Sequence, residues 1–416
     1  MVTSLAPQNL ANVSSYGRDL AFDSVNASVL LDEGVFGGVV NGSDGSDAVH
    51  RSVTSIVVIG VVLGIIILVT ILGNLLVAVT VLNDRRMHTP TNLFILSLAS
   101  TDLCVGLCVL PFSAVNTLHY EWPFGGIFCN IFTSTDVALC TVSILSLFAI
   151  SVDRYCALSR PLQYQRKMSA RIVWVTIAAI WAFSVVMGFV PIHFGWNTPD
   201  LHVQNRDPTS RVCAFLLNKP YVLLVAVGTY FSPLVIMCVI YFRILRITRK
   251  QVKQINKMTR VGAGMERAML NGNNRGGDAG DSHSRRGSHI HHKQKMAASD
   301  TKAMVTLASI VLAFAVCWVP YFVLFTLKPF LRRPFNVHLD LFALWLGYFN
   351  SAINPFLYAF YNSQFRDAFI RILCRNCPDK KQRLLQFFRE RKRKKRKYSA
   401  PSQHTSELSV FRPNAA

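Results

Sequence analysis

Two carboxylic acids lie inside long apolar stretches of the sequence, where an ionised group is costly. Asp102 is in the middle of one apolar run, and Asp136 is in the outer part of the next. A charge near the centre of a bilayer costs several kcal/mol, so an acid found there needs a partner or a function. No Lys, Arg or His lies in the outer half of any apolar run. We therefore expect Asp136 to pair with an external cation, although a structural acid is the alternative.

Aromatic side chains recur at helical spacing on two later runs, one of them beside a kink expected at Pro320. Those that would share the depth of Asp136 are Trp318, Tyr321, Phe322, Trp345 and Tyr348. Such stripes more often only pack against neighbouring helices. An acid surrounded by aromatic rings, however, can hold a protonated amine through charge and cation–π attraction.

A further charged pair, Asp153-Arg154, ends the run that contains Asp136. Eighteen residues separate Asp136 from Arg154, which is about 27 Å along an α-helix. The acid therefore lies near the outer mouth of this helix and the arginine at its inner edge. Taken alone, Arg154 is equally consistent with snorkelling to the interface and with a functional role.

The composition explains what positions these residues. Charged residues are only 16% of the 416, while 51% are hydrophobic, and a soluble domain carries about 25% charge. Seven runs reach the roughly 20 residues that a membrane-spanning helix needs: 55–82, 91–118, 126–158, 172–191, 221–245, 303–327 and 339–361. We predict an all-α membrane protein, a seven-transmembrane helix bundle over 53–361. Binding to nucleic acid is excluded, because these runs contain almost no basic residues.

The net charge of +22 is distributed unevenly and sets the orientation. Segment 1–52 has two arginines against six acids, whereas 243–302 has fourteen basic residues against four acids. The tail 375–416 has thirteen against three. Because basic loops stay in the cytoplasm, the N-terminus is predicted outside and the C-terminus inside the plasma membrane.

This orientation assigns chemistry to the outer face. The tail 1–52 contains three Asn-x-Ser/Thr sequons, predicting glycosylation at Asn12, Asn26 and Asn41. Cys129 and Cys213 are the only cysteines well placed for a disulfide in an oxidising compartment.

The cytoplasmic segments are predicted to be less ordered. A disordered third intracellular loop is expected over 249–300, with Ser288 as a basic-flanked phosphorylation site. A short amphipathic eighth helix is expected over 362–377, carrying palmitate on Cys374 or Cys377. In the basic tail 378–416, the run 389–397 is either a solvated charge run or a segment attracted to anionic lipid.

Several motifs resemble those of rhodopsin-like (class A) G-protein-coupled receptors, and the resemblance covers nearly everything between 55 and 377. They are Gly73-Asn74, Leu98-Ala99-Ser100-Thr101-Asp102, Cys129, Asp153-Arg154-Tyr155, Trp181, Pro233, Tyr241, Phe314, Cys317-Trp318-Val319-Pro320 and Asn354-Pro355-Phe356-Leu357-Tyr358. The resemblance implies a receptor rather than an enzyme. It also implies a heterotrimeric G protein, arrestin and receptor kinases as partners.

Within that family, Asp136, Tyr348 and the string 345–351 resemble the biogenic-amine receptors, in which the acid pairs with the ligand ammonium and the tyrosine holds the acid. An opsin would need a retinal-bearing lysine where Tyr348 stands. The resemblance implies a small-molecule amine ligand and these binding residues: Asp136, Cys140, Thr229, Trp318, Tyr321, Phe322, Trp345 and Tyr348.

Several stretches look most like the histamine type-2 receptors, namely 109–114, 136–141, 192–197, 233–238 and 317–322. Those receptors place an acid two turns before the fifth-span proline, where this chain has Val225. Histamine is therefore one candidate, with octopamine, a trace amine, serotonin or dopamine as alternatives. The same resemblance suggests a stimulatory G protein and cyclic AMP.

The family resemblance also implies two internal networks. The first is a midplane network that holds an allosteric sodium ion, with no other metal or cofactor: Asn74, Asp102, Ser143, Asn350, Ser351 and Asn354. The second acts in activation and G-protein coupling: Asp153, Arg154, Tyr155, Tyr241, Asp300, Phe314, Pro320, Pro355 and Tyr358.

Rival functions are less consistent with the sequence. A transporter or channel is disfavoured because neither internal repeats nor broken helices are evident. An enzyme is disfavoured because no cluster of His, Cys and acids shares one depth. An orphan receptor that is constitutively active without ligand stays open.

Overall fold

The computed structural model describes residues 52–272, 308–331 and 335–374, together with residues 382 and 386. Seven long helical segments form the bundle, here called the first to seventh spans: Val53–Asn83, Pro90–His119, Gly126–Ser159, Ala170–His193, Lys219–Gln251, Ala308–Phe330 and Val337–Tyr361. The first six are long and apolar enough to cross a membrane. The seventh, 25 residues long, is less apolar because it carries a series of buried polar side chains.

The third span is the central helix of the bundle, packed against the second, fourth and fifth spans. The first span, in contrast, is nearly all aliphatic and buries few of its side chains in the bundle, as a lipid-facing helix should. Because the third span carries both Asp136 and Arg154, it connects the outer half of the bundle with its inner edge.

The second span is not the continuous helix that we expected over 91–118. One helix ends at Cys108, and another begins at Leu110. Pro111 lies in the first turn of the second piece. Because proline has no N–H to donate and its ring clashes with the preceding turn, the backbone is interrupted just before it.

The fifth span contains a wide turn between two α-helical pieces. Residues Leu224–Phe231 are π-helical, and α-helix follows over Ser232–Gly272. The disordered loop that we expected to begin at 249 is therefore wrong for residues 249–272, which continue this helix. Residues 249–261 contain neither Gly nor Pro, so nothing in their composition ends the helix there.

The extracellular segment after the fourth span is joined to the outer end of the third span by a disulfide. Cys129 and Cys213 form the predicted disulfide, with their Cα atoms 5.5 Å apart. Asn205 adopts a left-handed conformation (φ 56°), which asparagine tolerates better than most residues. Its amide donates to Ala214 O at 2.9 Å and accepts from Ala214 N at 3.2 Å. These bonds hold the neighbouring Phe215 at the top of a cavity.

The predicted eighth helix is present as Ser363–Leu373, on the cytoplasmic side. Asn362 caps it by accepting from Gln364 N at 3.0 Å. Phe365 and Phe369 are buried, and Arg371 donates to Asp84 at 3.2 Å at the end of the first span. One face therefore packs on the bundle while the other stays polar, which is typical of an amphipathic helix at a membrane surface.

Candidate functional site

A cavity opens in the outer half of the bundle, between the third, fifth, sixth and seventh spans. Seven of the residues predicted to bind ligand line it: Asp136, Cys140, Thr229, Trp318, Tyr321, Phe322 and Tyr348. Phe215 and Phe325 also line it, with their rings stacked at a centroid distance of 6.4 Å. The third span thus contributes the acid, and the sixth contributes most of the aromatic wall.

Asp136 is held in this cavity by hydrogen bonds alone. The Tyr348 hydroxyl donates to Oδ2 at 3.0 Å, and the Cys140 thiol points to Oδ1 at 3.8 Å. Within the part of the chain that the structure describes, no Lys, Arg or His forms an ion pair with Asp136. A half-buried carboxylate is thus oriented without a counter-ion from its own chain.

The aromatic wall depends on a close approach between the sixth and seventh spans. Trp318 and Tyr348 are perpendicular with centroids 6.1 Å apart, and Trp318 and Tyr321 are 5.7 Å apart. Gly347 makes room for this packing, because a Cβ at this position would lie 2.7 Å from the Trp318 ring. The rings therefore have fixed places around the acid.

Trp345 has a different position from the one that we expected. It is buried but does not line the cavity, and its indole N–H donates to Thr117 Oγ1 at 3.0 Å. Its ring contacts Tyr348 at 5.5 Å, in a perpendicular arrangement. The shared helical face was correct, but a hydrogen bond to the second span turns the indole away from the cavity. Trp345 therefore supports Tyr348.

The fifth span forms the far wall of the cavity, which Val225, Thr229 and Tyr230 line. Of these, Tyr230 was not predicted from the sequence. The Thr229 hydroxyl donates to Val225 O at 2.6 Å. No acid lies at the position of Val225, so the wall is mostly apolar.

The midplane residues are brought together below the cavity. Asn354 donates to Asp102 Oδ2 at 2.8 Å, and Asn74 donates to the backbone oxygen of Ser351 at 2.9 Å. Ser143 and Asn350 are also buried. Four buried side-chain oxygens have no hydrogen-bond partner among the described residues: Asn74 Oδ1, Asp102 Oδ1, Asn350 Oδ1 and Asn354 Oδ1.

At the inner edge, the carboxylate of Asp153 is saturated. It accepts from Thr91 Oγ1 at 2.6 Å and from the Tyr164 hydroxyl at 2.7 Å, and it pairs with Arg154 at 3.1 Å. Tyr164 lies on the short helix Pro161–Lys167, beyond the third span. Burial and the bond to Asp153 raise the pKa of Tyr164, so its hydroxyl stays protonated and can donate.

The other described residues of the predicted coupling set lie on the third, fifth, sixth and seventh spans. Ser151 donates to the Tyr241 hydroxyl at 3.4 Å, and Tyr358 stacks on Phe365 at 5.2 Å. Phe314 contacts Trp318 at 6.4 Å. Tyr155 is half-buried, while Pro320 and Pro355 lie inside the sixth and seventh spans.

The match to known proteins is decisive at this point. Residues 73–358 match the family described as "7 transmembrane receptor (rhodopsin family)". The chain belongs to this family. It is thus a G-protein-coupled receptor and not an enzyme, and it is a multi-pass protein of the plasma membrane.

Individual relatives extend the similarity over most of the receptor. The chain is 40% identical to the "Histamine H2 receptor" of Homo sapiens over 320 residues, which cover 76% of this chain and 80% of that protein. The corresponding protein of Rattus norvegicus is 41% identical over 315 residues, with 75% and 78% covered. The "5-hydroxytryptamine receptor 4" of Cavia porcellus is 38% identical over 329 residues, with 77% and 80% covered.

Some predicted sites lie outside the described residues: Asn12, Asn26, Asn41, Ser288, Asp300 and Cys377. Cys374 is described and half-buried at the end of the eighth helix. Sequence reasoning missed Tyr230, as well as Thr91 and Tyr164, which bind Asp153. For Tyr230, the only available signal was its hydroxyl, a polar group in an apolar span.

Proposed function

We propose that this receptor binds an extracellular aromatic amine whose ammonium pairs with Asp136. The observation that carries the proposal is the Asp136 carboxylate, oriented by Tyr348 in a cavity lined with aromatic rings and without a counter-ion from the described chain. An ammonium would supply the missing charge, and the rings would add cation–π attraction. The names of the relatives refer to histamine and 5-hydroxytryptamine, which are both small amines with an aromatic ring.

Such a ligand would act by preferring one arrangement of the spans. A ligand shifts a conformational equilibrium only by the difference in its affinity for the two states. Here it would touch the acid on the third span and the rings of Trp318 and Phe322 on the sixth. Phe314 packs directly below Trp318, so a change at the cavity floor would reach the middle of the sixth span.

The inner edge would deliver the signal to a heterotrimeric G protein. Release of Arg154 from Asp153 would free a guanidinium at the cytoplasmic face, where Tyr241 and Tyr358 could turn inward. We propose a stimulatory G protein and cyclic AMP as the pathway, with arrestin and receptor kinases as further partners, by resemblance to the family. Palmitate on Cys374 or Cys377 would anchor the eighth helix to the membrane.

We also propose that a sodium ion binds at the midplane network in the inactive state. The four unpartnered oxygens of Asn74, Asp102, Asn350 and Asn354 support this, since a hard cation takes oxygen ligands and a buried acceptor needs a partner. Asp102 would supply the negative charge, with Ser351 next to Asn350 on the seventh span and Ser143 buried on the third. Neutralising Asp102 would remove the effect of sodium on amine affinity.

The identity of the amine depends on the far wall, where Val225 replaces the acid expected for a histamine type-2 receptor. Histamine, serotonin, octopamine, dopamine and a trace amine are therefore all included in the test. A receptor that is active without any ligand is the competing function.

The test is a monoamine panel on cells that express the receptor, with cyclic AMP and calcium as readouts. Asp136→Asn should lower amine potency by more than about 100-fold, because breaking a buried ion pair costs about 3–5 kcal/mol. Asp340→Asn is the matched control: this acid also lies on the outer side but is already paired with Lys328 at 2.8 Å. It should change potency by less than about threefold.

Surface expression is measured for every variant. Amine responses that survive Asp136→Asn would contradict the ammonium site. A panel with no response, despite normal surface expression and high ligand-free signalling, would favour the constitutive receptor.

A further inference from the structure

Two aromatic side chains that directly follow the fourth span are exposed together. The exposed fractions are 65% for Phe194 and 56% for Trp196, and the two rings lie 5.9 Å apart at an angle of 38°. Neither ring lines the cavity that contains Asp136. Large apolar side chains that are exposed side by side mark a surface that another molecule or a membrane covers.

This aromatic pair continues the lipid-facing side of the fourth span. Phe183 and Val186 are exposed within the span, where a membrane surrounds the helix. Phe194 follows Phe183 by eleven residues, which is about three helical turns, so the two lie on the same face. The helical pattern also reaches Phe194, because its N–H donates to Val190 O at 3.1 Å. Phe194 therefore lies at the outer end of a face that contacts lipid.

The loop that carries the pair is held by hydrogen bonds. Gly195 adopts a left-handed conformation (φ 71°), and a Cβ at this position would lie 2.6 Å from the backbone carbon of His202. The buried Thr198 hydroxyl lies 2.8 Å from the carbonyl oxygens of both Gly195 and His202. The Asn218 amide donates to Trp196 O at 2.7 Å and to Thr198 O at 2.9 Å. The backbone on both sides of Gly195 is therefore fixed while the aromatic rings stay exposed.

The other end of the same loop is polar. Leu201 is as exposed as Phe194, but it lies between Asp200 and His202, whose exposed side chains are 3.7 Å apart. Charged and polar side chains of this kind stay hydrated. The apolar surface that a membrane could cover is thus confined to Phe194 and Trp196, and Leu201 provides a matched control.

We infer that Phe194 and Trp196 insert into the interface of the outer leaflet and hold the extracellular segment 194–218 against the membrane. Tryptophan is enriched where the hydrocarbon meets the headgroups, because its ring is apolar and its N–H is polar. Lipid is the partner, rather than a second copy of the chain, because the pair is continuous with the lipid-facing side of the fourth span.

The same contact reaches the roof of the cavity. Asn197, next to Trp196, is buried and donates to Leu216 O at 3.1 Å. The N–H of Asn218 donates to Asn197 O at 2.7 Å. These bonds enclose residues 216–218, and the preceding Phe215 lines the cavity. A membrane contact at Trp196 would therefore help to keep Phe215 in place.

The first experiment locates Trp196 by fluorescence of the full receptor in phosphatidylcholine nanodiscs. Phosphatidylcholine brominated on the upper acyl chain quenches tryptophan from the lipid, and iodide quenches it from water. The difference between the unmodified receptor and Trp196→Phe isolates the emission of Trp196, which should be quenched by the brominated lipid and not by iodide. Trp174→Phe is the positive control, because it removes an exposed tryptophan near the cytoplasmic end of the same span.

Two outcomes of this experiment overturn the inference. Quenching of Trp196 by iodide would show that the ring faces water. Quenching by neither agent would show that protein, such as a second copy of the chain, covers it.

The second experiment measures hydrogen–deuterium exchange of the amides in 214–218, in the same nanodiscs. Trp196→Ser should accelerate this exchange by about tenfold, because a half-exposed aromatic ring presents on the order of 100 Å² of apolar surface to the lipid. Trp196→Phe, which keeps an aromatic ring, and Leu201→Ser should leave it nearly unchanged. No change in Trp196→Ser, or an equal acceleration in Leu201→Ser, would overturn the hold on the segment. Neither experiment uses an amine, so both results are independent of the role proposed for Asp136.

Discussion

The third span carries two acids that the structure treats in opposite ways. At its outer end, Asp136 accepts one hydrogen bond from Tyr348 and a weak one from Cys140, and no cation of the described chain is paired with it. At its inner end, Asp153 accepts from Thr91 and Tyr164 and is paired with Arg154. Two aspartates on the same helix thus differ: the outer one has no counter-ion from the described chain, whereas the inner one has hydrogen bonds to both oxygens and an ion pair.

The difference indicates how an acid in a membrane helix can serve two functions. A carboxylate that its own chain leaves without a counter-ion favours binding of an external cation. A carboxylate that its chain saturates favours the conformation in which those bonds are made, and its bonds must break when that conformation changes. The outer acid is therefore suited to receive the ligand, and the inner acid is suited to keep the receptor inactive.

Asp153→Asn, at the inner end of the third span, should have the largest effect on ligand-free signalling. The charge that holds Arg154 would be lost, and a hydrogen bond to a charged group contributes about 1.5–3 kcal/mol, so the active fraction should rise about tenfold. Ligand-free cyclic AMP, normalised to surface expression, measures this rise. Asp84→Asn is the control, because this partly exposed acid is paired with Arg371 at 3.2 Å on the same side of the membrane.

Ligand-free signalling that falls in Asp153→Asn would contradict the inhibitory role of the pair. An equal rise in Asp84→Asn would show that loss of any cytoplasmic acid activates the receptor. In either case the saturated carboxylate would not be what holds the inactive conformation.

Tyr348→Phe should have a smaller effect, at the outer end. It removes the 3.0 Å bond that orients Asp136, and a net hydrogen bond contributes about 1 kcal/mol, so amine potency should fall about fivefold. Ligand-free signalling should not rise, since the bonds of Asp153 are intact. A potency loss as large as that of Asp136→Asn would mean that Tyr348 binds the ligand itself.

The positions of the acids could be predicted from sequence, but their partners could not. Asp136 and Asp153 stand out because a charge in or beside an apolar run is rare, and helix rise alone places one at each end of the span. Thr91 and Tyr164 carry no such signal. They meet Asp153 only because the second span and the short helix Pro161–Lys167 pack beside it.

Helical periodicity was also insufficient where the backbone departs from an α-helix. The regular period puts Tyr230 on a different face from Val225, and only the wide turn brings both to the cavity. Similarly, Trp345 shares the face of Tyr348 but is turned toward Thr117 by a hydrogen bond between spans. The apolar period thus predicted the spans, whereas local backbone geometry and contacts between spans decided which side chains face the ligand.

Tyr164→Phe should also raise ligand-free signalling, but less than Asp153→Asn does. Asp153 would lose one 2.7 Å bond but keep Thr91 and Arg154, so ligand-free cyclic AMP should rise only about twofold. Tyr361→Phe, at an exposed position at the cytoplasmic end of the seventh span, should leave it unchanged. A rise equal to that of Asp153→Asn would show that the tyrosine, and not the ion pair, holds this end of the receptor.

Cys140→Ala should have the smallest effect. The thiol lies 3.8 Å from Asp136 and is a weak donor, so its loss should change amine potency by about twofold or less. Cys140→Ser sharpens the test, because a hydroxyl is a stronger donor at the same place and would give Asp136 a second full hydrogen bond. If the amine binds because Asp136 has no counter-ion, this added hydrogen bond should not raise amine potency. A gain of about tenfold in Cys140→Ser would instead show that amine binding depends on how firmly the Asp136 carboxylate is oriented. Asp136 would then differ from Asp153 only in the number of its hydrogen bonds.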